Sequence, residues 1–368
     1  MVGSIAVLGG GNGGHAIAAD LSLAGFKVNI FELPQFVGES FREVMRRGEI
    51  EILGKAREGV ARLNKATTSI SEALDGVELA LIAVPAFGHA TFAEICAEHL
   101  KKASGRPPAL ALMPGTAGSL EFMKTFREKG VKAPIAETAT LPYGCRMLEP
   151  AKVIVYVTAK LLPAGVLPAR QTEEIVGMLK QLYDEVCPCR NVLEAALNNP
   201  NPITHPAATL LNVGRIEYAK GEFYLYKEGI TASVARIYEA LNRERNALCQ
   251  TLNLKIFECG EQLTEMDRII QMGLLFGAGC WEEAGVKMKG PTHVRDRYVT
   301  EDVPYGLVFM ASLADMLGVP APVMKSIVTL FSAINREDYF AKGRTVEKLG
   351  IAGLSLQELE KYLQEGER

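Results

Sequence analysis

The segment Gly9-Gly10-Gly11-Asn12-Gly13-Gly14 restricts the fold more than any other part of this chain. It satisfies G-x-G-x-x-G through Gly9, Gly11 and Gly14. It follows an apolar run, Ser4 to Leu8, and precedes a helical pattern, His15 to Ala24, that ends at Gly25. Each glycine answers a separate steric demand: Gly9 permits a tight turn, Gly11 lets the backbone approach a pyrophosphate, and Gly14 lets the helix lie close to the strand. A pyrophosphate placed there meets free amides at the positive end of the helix. An ordinary glycine loop would not need this strand-turn-helix setting. The segment therefore reads as a Rossmann-type dinucleotide turn, with Gly9, Gly11, Asn12 and Gly14 as cofactor-binding positions.

The rest of the N-terminal half suits that reading. Short apolar runs at Ser4 to Leu8, Lys27 to Phe31, Leu79 to Val84, Ala109 to Met113 and Lys152 to Thr158 alternate with helical patterns such as Thr91 to Lys102. This alternation predicts an α/β fold with a doubly wound parallel sheet. Glu32 ends the second run, near the spacing of about twenty residues at which a carboxylate accepts hydrogen bonds from the ribose hydroxyls. It favours NAD and leaves NADP open; the competing reading is a solvated residue after a strand. Pro85 and Phe87 follow one strand and Pro114-Gly115-Thr116 the next, on the carboxyl edge where cofactors bind, and Pro85 is taken as a cofactor contact.

From about Asn191 the pattern turns helical. Val234, Ile237, Tyr238 and Leu241 mark one apolar face, and Met324, Ile327, Val328 and Phe331 another. Gly318 and Pro320 separate two helices, Pro322 opens the second, and Ser355 with Glu358 forms a capping box for a last helix. The expected domains are 1–188, dinucleotide-binding, and 189–368, mostly α-helical. With 368 residues, 48% of them hydrophobic, the chain can bury two cores. Forty basic against 43 acidic residues leave no cationic excess for nucleic acid or an acidic membrane surface. No apolar run spans a bilayer and no signal peptide is read at the N-terminus. Seven scattered cysteines suit free thiols in the cytoplasm, and Cys187-Pro188-Cys189 is too tight for a redox pair or half a zinc site. No metal site is expected. The oligomeric state stays open, a homodimer through the helical domain being compatible with the pattern.

Among five histidines, His15, His89, His99 and His293 read as packing or surface residues. His205 lies in Asn198-Asn199-Pro200-Asn201-Pro202-Ile203-Thr204-His205-Pro206, which is rich enough in Asn and Pro to read as a loop, with Pro206 keeping His205 out of the helical region. Taken as residues alone, this is helix-entry chemistry. In the polar cluster His293 to Asp302, Arg297 alone reads as a solvated charge and Asp302 as a helix cap.

Asn-Pro-x-x-His-Pro, paired with Arg-Tyr-x-Thr-Glu-Asp-Val-Pro, resembles the opine dehydrogenase family of the octopine and nopaline type. The likeness covers nearly the whole chain, including Pro-Gly-Thr-Ala-Gly from Pro114 and Leu141-Pro142-Tyr143. It implies a Rossmann domain and a helical domain with substrate in the cleft between them. It further implies condensation of an amino acid with a 2-oxo acid such as pyruvate and reduction of the imine with NADH or NADPH. Carried onto this chain, His205 is the catalytic acid/base, Asp302 orients and charges its imidazole, Arg297 holds a substrate carboxylate through its guanidinium fork, and Asn201 positions substrate or cofactor. Cys145 and Arg146 stay ambiguous between cleft and packing.

Two rival readings remain. A hydroxy-acid or polyol-phosphate dehydrogenase, of the ketopantoate reductase or glycerol-3-phosphate dehydrogenase type, shares the layout but often relies on a lysine. Lys220, Lys227 and Lys287 lie in no matching segment. A non-catalytic dinucleotide sensor would have no use for His205, Arg297 and Asp302 together.

Overall fold

The computed structural model describes residues 2–102, 106–285 and 289–367. It divides into two compact units, Met1–Ala196 with Lys361–Arg368, and Leu197–Glu360. The strands are β1 (Ser4–Leu8), β2 (Lys27–Phe31), β3 (Glu49–Gly54), β4 (Gly59–Arg62), β5 (Lys65–Thr67), β6 (Leu79–Ile82), β7 (Ala109–Leu112), β8 (Ile135–Thr138), β9 (Tyr143–Glu149), β10 (Lys152–Thr158), β11 (Leu162–Leu167) and β12 (Val186–Pro188).

The main sheet runs β12-β11-β8-β7-β6-β1-β2-β5 and is parallel from β5 through β8, with β11 antiparallel to β8. Winding reverses at β1, which pairs with β2 on one side and β6 on the other. This leaves a crevice at the carboxyl ends, beside the glycine turn. The strands are apolar on both faces because helices cover both: β6 and β7 are buried throughout.

One expectation fails here. Lys152–Thr158 does not extend the parallel sheet; β10 lies in a second sheet of order β4-β3-β10-β9, antiparallel to β9 and parallel to β3. Its burial alternates, with Val153, Val155 and Val157 inside, as a strand with only one face covered requires. The segment 189–196, expected in the helical domain, belongs to the first unit. Val192, Leu193, Ala195 and Ala196 are fully buried, and the backbone at Asn191 and Val192 lies so close to Gly165 of β11 that a Cβ there would stand 2.4 Å from the Asn191 carbonyl oxygen.

The second unit is helical, and its apolar faces are largely the expected ones: Val234, Tyr238 and Leu241 are buried on Ala232–Thr251, with Ile237 only partly covered, and Met324, Ile327, Val328 and Phe331 are buried on Pro322–Asn335. The N-terminus of the latter helix has no cap of its own. Glu244, from the former helix, accepts from Val323 N at 2.7 Å and Met324 N at 2.9 Å, supplying a carboxylate to the positive helix end. The Ser355–Glu358 capping box forms, with Glu358 Oε2 accepting from Ser355 N at 2.9 Å and Ser355 Oγ from Glu358 N at 3.3 Å.

Candidate functional site

In the first unit the glycine turn has the geometry the motif demands. Gly9 sits at φ +116°, and a Cβ there would lie 2.6 Å from the Ala83 carbonyl oxygen. At Gly14 an added Cβ would fall 1.8 Å from the Gly9 carbonyl oxygen, so the helix Asn12–Leu23 leaves the strand at backbone contact. Gly11 is the opposite case: nothing lies within 4 Å of its Cβ direction, and the helix has no side-chain cap. With no side chain capping the first turn of the helix and no atom crowding Gly11, the turn fits a dinucleotide pyrophosphate.

Glu32, half-buried at the end of β2, accepts from Gly10 N through Oε2 at 2.9 Å and from Leu33 N through Oε1 at 2.8 Å. Burial pushes its carboxyl above the ordinary carboxylate range, against the pull of those two amides. A carboxylate has about four acceptor positions, so two remain for further donors. Pro85 lies beyond β6 at the start of the turn Ala86–Gly88. The Asn12 side chain is turned inward, its Oδ1 accepting from Met147 N of β9 at 2.9 Å. His15 is buried, with Nδ1 3.0 Å from the Gly11 oxygen and Nε2 3.0 Å from Ser40 Oγ, a packing role.

Sequence reasoning missed Glu137. Wholly buried on β8, it accepts from Ala117 N at 2.9 Å and Ser119 N at 3.0 Å, capping the helix Gly118–Lys129. Gly115 has no room for a side chain because Glu137 Cβ lies 2.2 Å from where its own Cβ would be. The Pro-Gly-Thr-Ala-Gly segment therefore owes its shape to a carboxylate that lies 20 and 18 residues beyond the two amides it accepts from. Tyr143, of the Leu-Pro-Tyr motif, donates its hydroxyl to buried Asp20.

In the second unit the expected loop around His205 is a helix, Asn201–Leu211, that runs through Pro206. Pro206 lacks the amide that would bond back one turn, a defect that ordinarily breaks a helix. Here tertiary contacts hold the segment. Residues from Pro202 to Thr209 are buried, the Thr204 hydroxyl donates to the Ile270 carbonyl at 2.6 Å, and the Tyr238 hydroxyl donates to the Thr204 carbonyl at 2.7 Å. Asn201 opens this helix one turn before His205, so the two share a face.

Asp302 begins a π-helical turn, Asp302–Leu307, which rests on the His205 helix; a Cβ on Gly306 would lie 2.4 Å from Pro202 Cγ. That approach sets Asp302 Oδ2 2.7 Å from His205 Nδ1, both residues being buried. Facing a carboxylate, Nδ1 carries the proton of the neutral ring and Nε2 keeps the lone pair. Arg297 opens the short helix Arg297–Thr300, leading into that turn. Its side chain is 55% exposed and lies 3.5 Å from Glu301. Cys145 is buried, while exposed Arg146 donates from Nη1 to the Cys145 carbonyl at 2.9 Å. Lys220 and Lys227 are exposed; Lys287 lies outside the described residues. All seven cysteines are free, and burial pushes the Cys187 thiol up to about 11, which keeps that thiol protonated near neutral pH. Among the described residues no group of three His, Cys, Asp or Glu is placed to hold a metal ion, and no helix is long and apolar enough to cross a membrane.

Residues 188–335 match the family model described as NAD/NADP octopine/nopaline dehydrogenase, alpha-helical domain. Over 352 residues, 95% of this chain and 96% of the relative, the sequence is 33% identical to an opine dehydrogenase of Arthrobacter sp. (strain 1C). The chain belongs to the opine dehydrogenase family. As a member it is an NAD(P)-dependent oxidoreductase acting on the CH–NH group. Its fold is also that of solved octopine dehydrogenases. One in a complex with NADH and L-arginine has a TM-score of 0.74 at 17% identity, covering 100% of this chain and 98% of the other. A second, with NADH and pyruvate, has a TM-score of 0.70 at 18% identity with the same coverage.

Proposed function

We propose that this opine dehydrogenase joins the amino group of an amino acid to a 2-oxo acid such as pyruvate and reduces the resulting imine to a secondary amine. The dinucleotide, when bound, supplies the hydride. Per turnover one amine, one oxo acid, one NADH and one proton give the secondary amine, NAD⁺ and one water. His205 moves the protons. Its Nε2 takes a proton from the substrate ammonium, freeing the amine lone pair to attack the oxo carbon, and returns one to the carbinolamine hydroxyl as water leaves, while Asp302 holds Nδ1–H and balances the charge of the imidazolium. Arg297, half-exposed, holds a substrate carboxylate by its planar fork, and Asn201 reaches substrate from the same helix face as His205. Gly9, Gly11 and Gly14 form the pyrophosphate cradle. Asn12 contributes its helix position rather than its amide, and Pro85 borders the cofactor. A cytoplasmic setting suits the free cysteines.

The observation that carries this reading is the buried His205–Asp302 pair at 2.7 Å. It is tested by mixing the protein with NADH, pyruvate and a panel of amino acids. NADH oxidation is expected only when both substrates are present; oxidation by the oxo acid alone would instead mark a hydroxy-acid dehydrogenase.

Glu32 makes the cofactor preference testable. Its two remaining acceptor positions suit the ribose hydroxyls, and a 2′-phosphate there would meet a like charge, so NADH is preferred over NADPH. Binding needs the anion. Because burial raises the Glu32 pKa, the anion is lost as pH falls at values above those at which an ordinary carboxylate protonates. Fluorescence titration is expected to show NADH affinity declining across that window. Glu32→Gln is expected to bind more weakly at neutral pH and to lose the dependence; an unchanged profile in the variant would assign the titration to another group.

A further inference from the structure

The His205 ring is fixed by more than Asp302. Tyr298, the residue after Arg297, lies flat against it, with ring centroids 3.9 Å apart and planes inclined by 10°. Tyr298 is in turn supported by Tyr226, whose ring stands at 60° to it with centroids 6.4 Å apart and whose hydroxyl lies 3.4 Å from the Tyr298 hydroxyl. Both tyrosines are buried. A hydrogen bond to Nδ1 fixes only the in-plane direction of an imidazole, because the ring can still swing about the axis through that bond. A face-to-face stack removes the remaining freedom, since any swing opens a gap and forfeits the dispersion contact. The two contacts together leave Nε2 as the one ring nitrogen without a protein partner among the described residues.

We propose that Tyr298 is a positioning residue for His205, holding the plane of the imidazole so that Nε2 presents its lone pair in one direction through every proton transfer. The inference rests on His205 being the acid/base. It assigns the work to the ring face of Tyr298 and not to its hydroxyl, which points to Tyr226. The groups that face the imidazole are then the Asp302 carboxylate in plane, the Tyr298 ring on one face and the Tyr226 ring at a tilt of 58°.

The test uses the full chain with NADH, pyruvate and the amino acid that supports turnover, comparing Tyr298→Phe, Tyr298→Leu and His205→Ala. Tyr298→Phe keeps the stack and is expected to stay within about twofold of the parent kcat. Tyr298→Leu is expected to lose about tenfold in kcat, the value of one aromatic pair, while NADH affinity is unchanged. In the His205→Ala background, Tyr298→Leu is expected to add no further loss, because a residue acting through His205 has nothing left to act on. Full kcat in Tyr298→Leu, or a Phe variant as poor as the Leu variant, overturns the proposal. If His205→Ala itself retains turnover, the acid/base reading has failed instead, so the two failures are distinct. Should Tyr298→Leu not fold, the proton spectrum of the histidine ring in the parent and the Phe variant decides. The His205 ring protons are expected upfield in both from the facing aromatic ring, and their appearance at unstacked positions overturns the inference.

Discussion

His205→Ala is expected to lower kcat by about 10²- to 10⁴-fold, the range supplied by a positioned general acid/base, with the dissociation constant for NADH near the parent value. The split follows from where the groups lie. His205 belongs to the helical unit and the glycine turn to the sheet unit, so removing the imidazole leaves the glycine turn and Glu32 intact. Asp302→Asn is expected to reduce kcat in the same direction but less, because the amide still reaches Nδ1 yet cannot balance an imidazolium. Steady-state kinetics with both substrates saturating, beside an NADH titration, measures the pair. A His205→Ala protein with parental kcat would remove the histidine from the mechanism, and one that no longer binds NADH would show the variant to be structurally damaged.

Gly14→Val is expected to abolish NADH binding and to lower the stability of the sheet unit by roughly 1–3 kcal/mol, the cost of overpacking a close contact. At 1.8 Å from the Gly9 carbonyl oxygen, a Cβ has nowhere to go except by lifting the helix off β1, since the obstacle is backbone. Lifting it moves the amides that would bind the pyrophosphate. Gly11→Ala provides the contrast. Its Cβ meets nothing within 4 Å, so the melting temperature is expected to stay near that of the parent while NADH binding weakens, because the methyl group occupies the approach to the amides. Thermal melts with NADH titrations separate the two. Equal melting temperatures for Gly14→Val and the parent would show that the turn does not make the close approach seen here.

What could be read from the chain in advance is what local physics governs. The glycine turn, the four strands β1, β2, β6 and β7, the apolar helix faces and the Ser355–Glu358 box all depend on neighbours a few residues away, through steric limits at glycine, side-chain periodicity and the orphan amides of a helix end. The site was only half legible. His205, Arg297 and Asp302 stood out through a resemblance of motifs; residue by residue, a loop histidine, a solvated arginine and a helix cap would have been the plainer reading.

The sequence by itself determined the strand-glycine turn-helix near the start of this chain and the change from strand to helix behind it, because a backbone without Cβ atoms and a hydrophobic period are properties of short segments. Only the tertiary structure decided that Pro206 is tolerated inside a helix, that Lys152–Thr158 joins a separate sheet, that Glu137 and Glu244 cap helices from a distance, and that Asp302 meets a histidine 97 residues earlier beneath the face of Tyr298. Each of those outcomes is a contact between segments remote in sequence, where the energy of burying and pairing groups overrides the preference of the local chain.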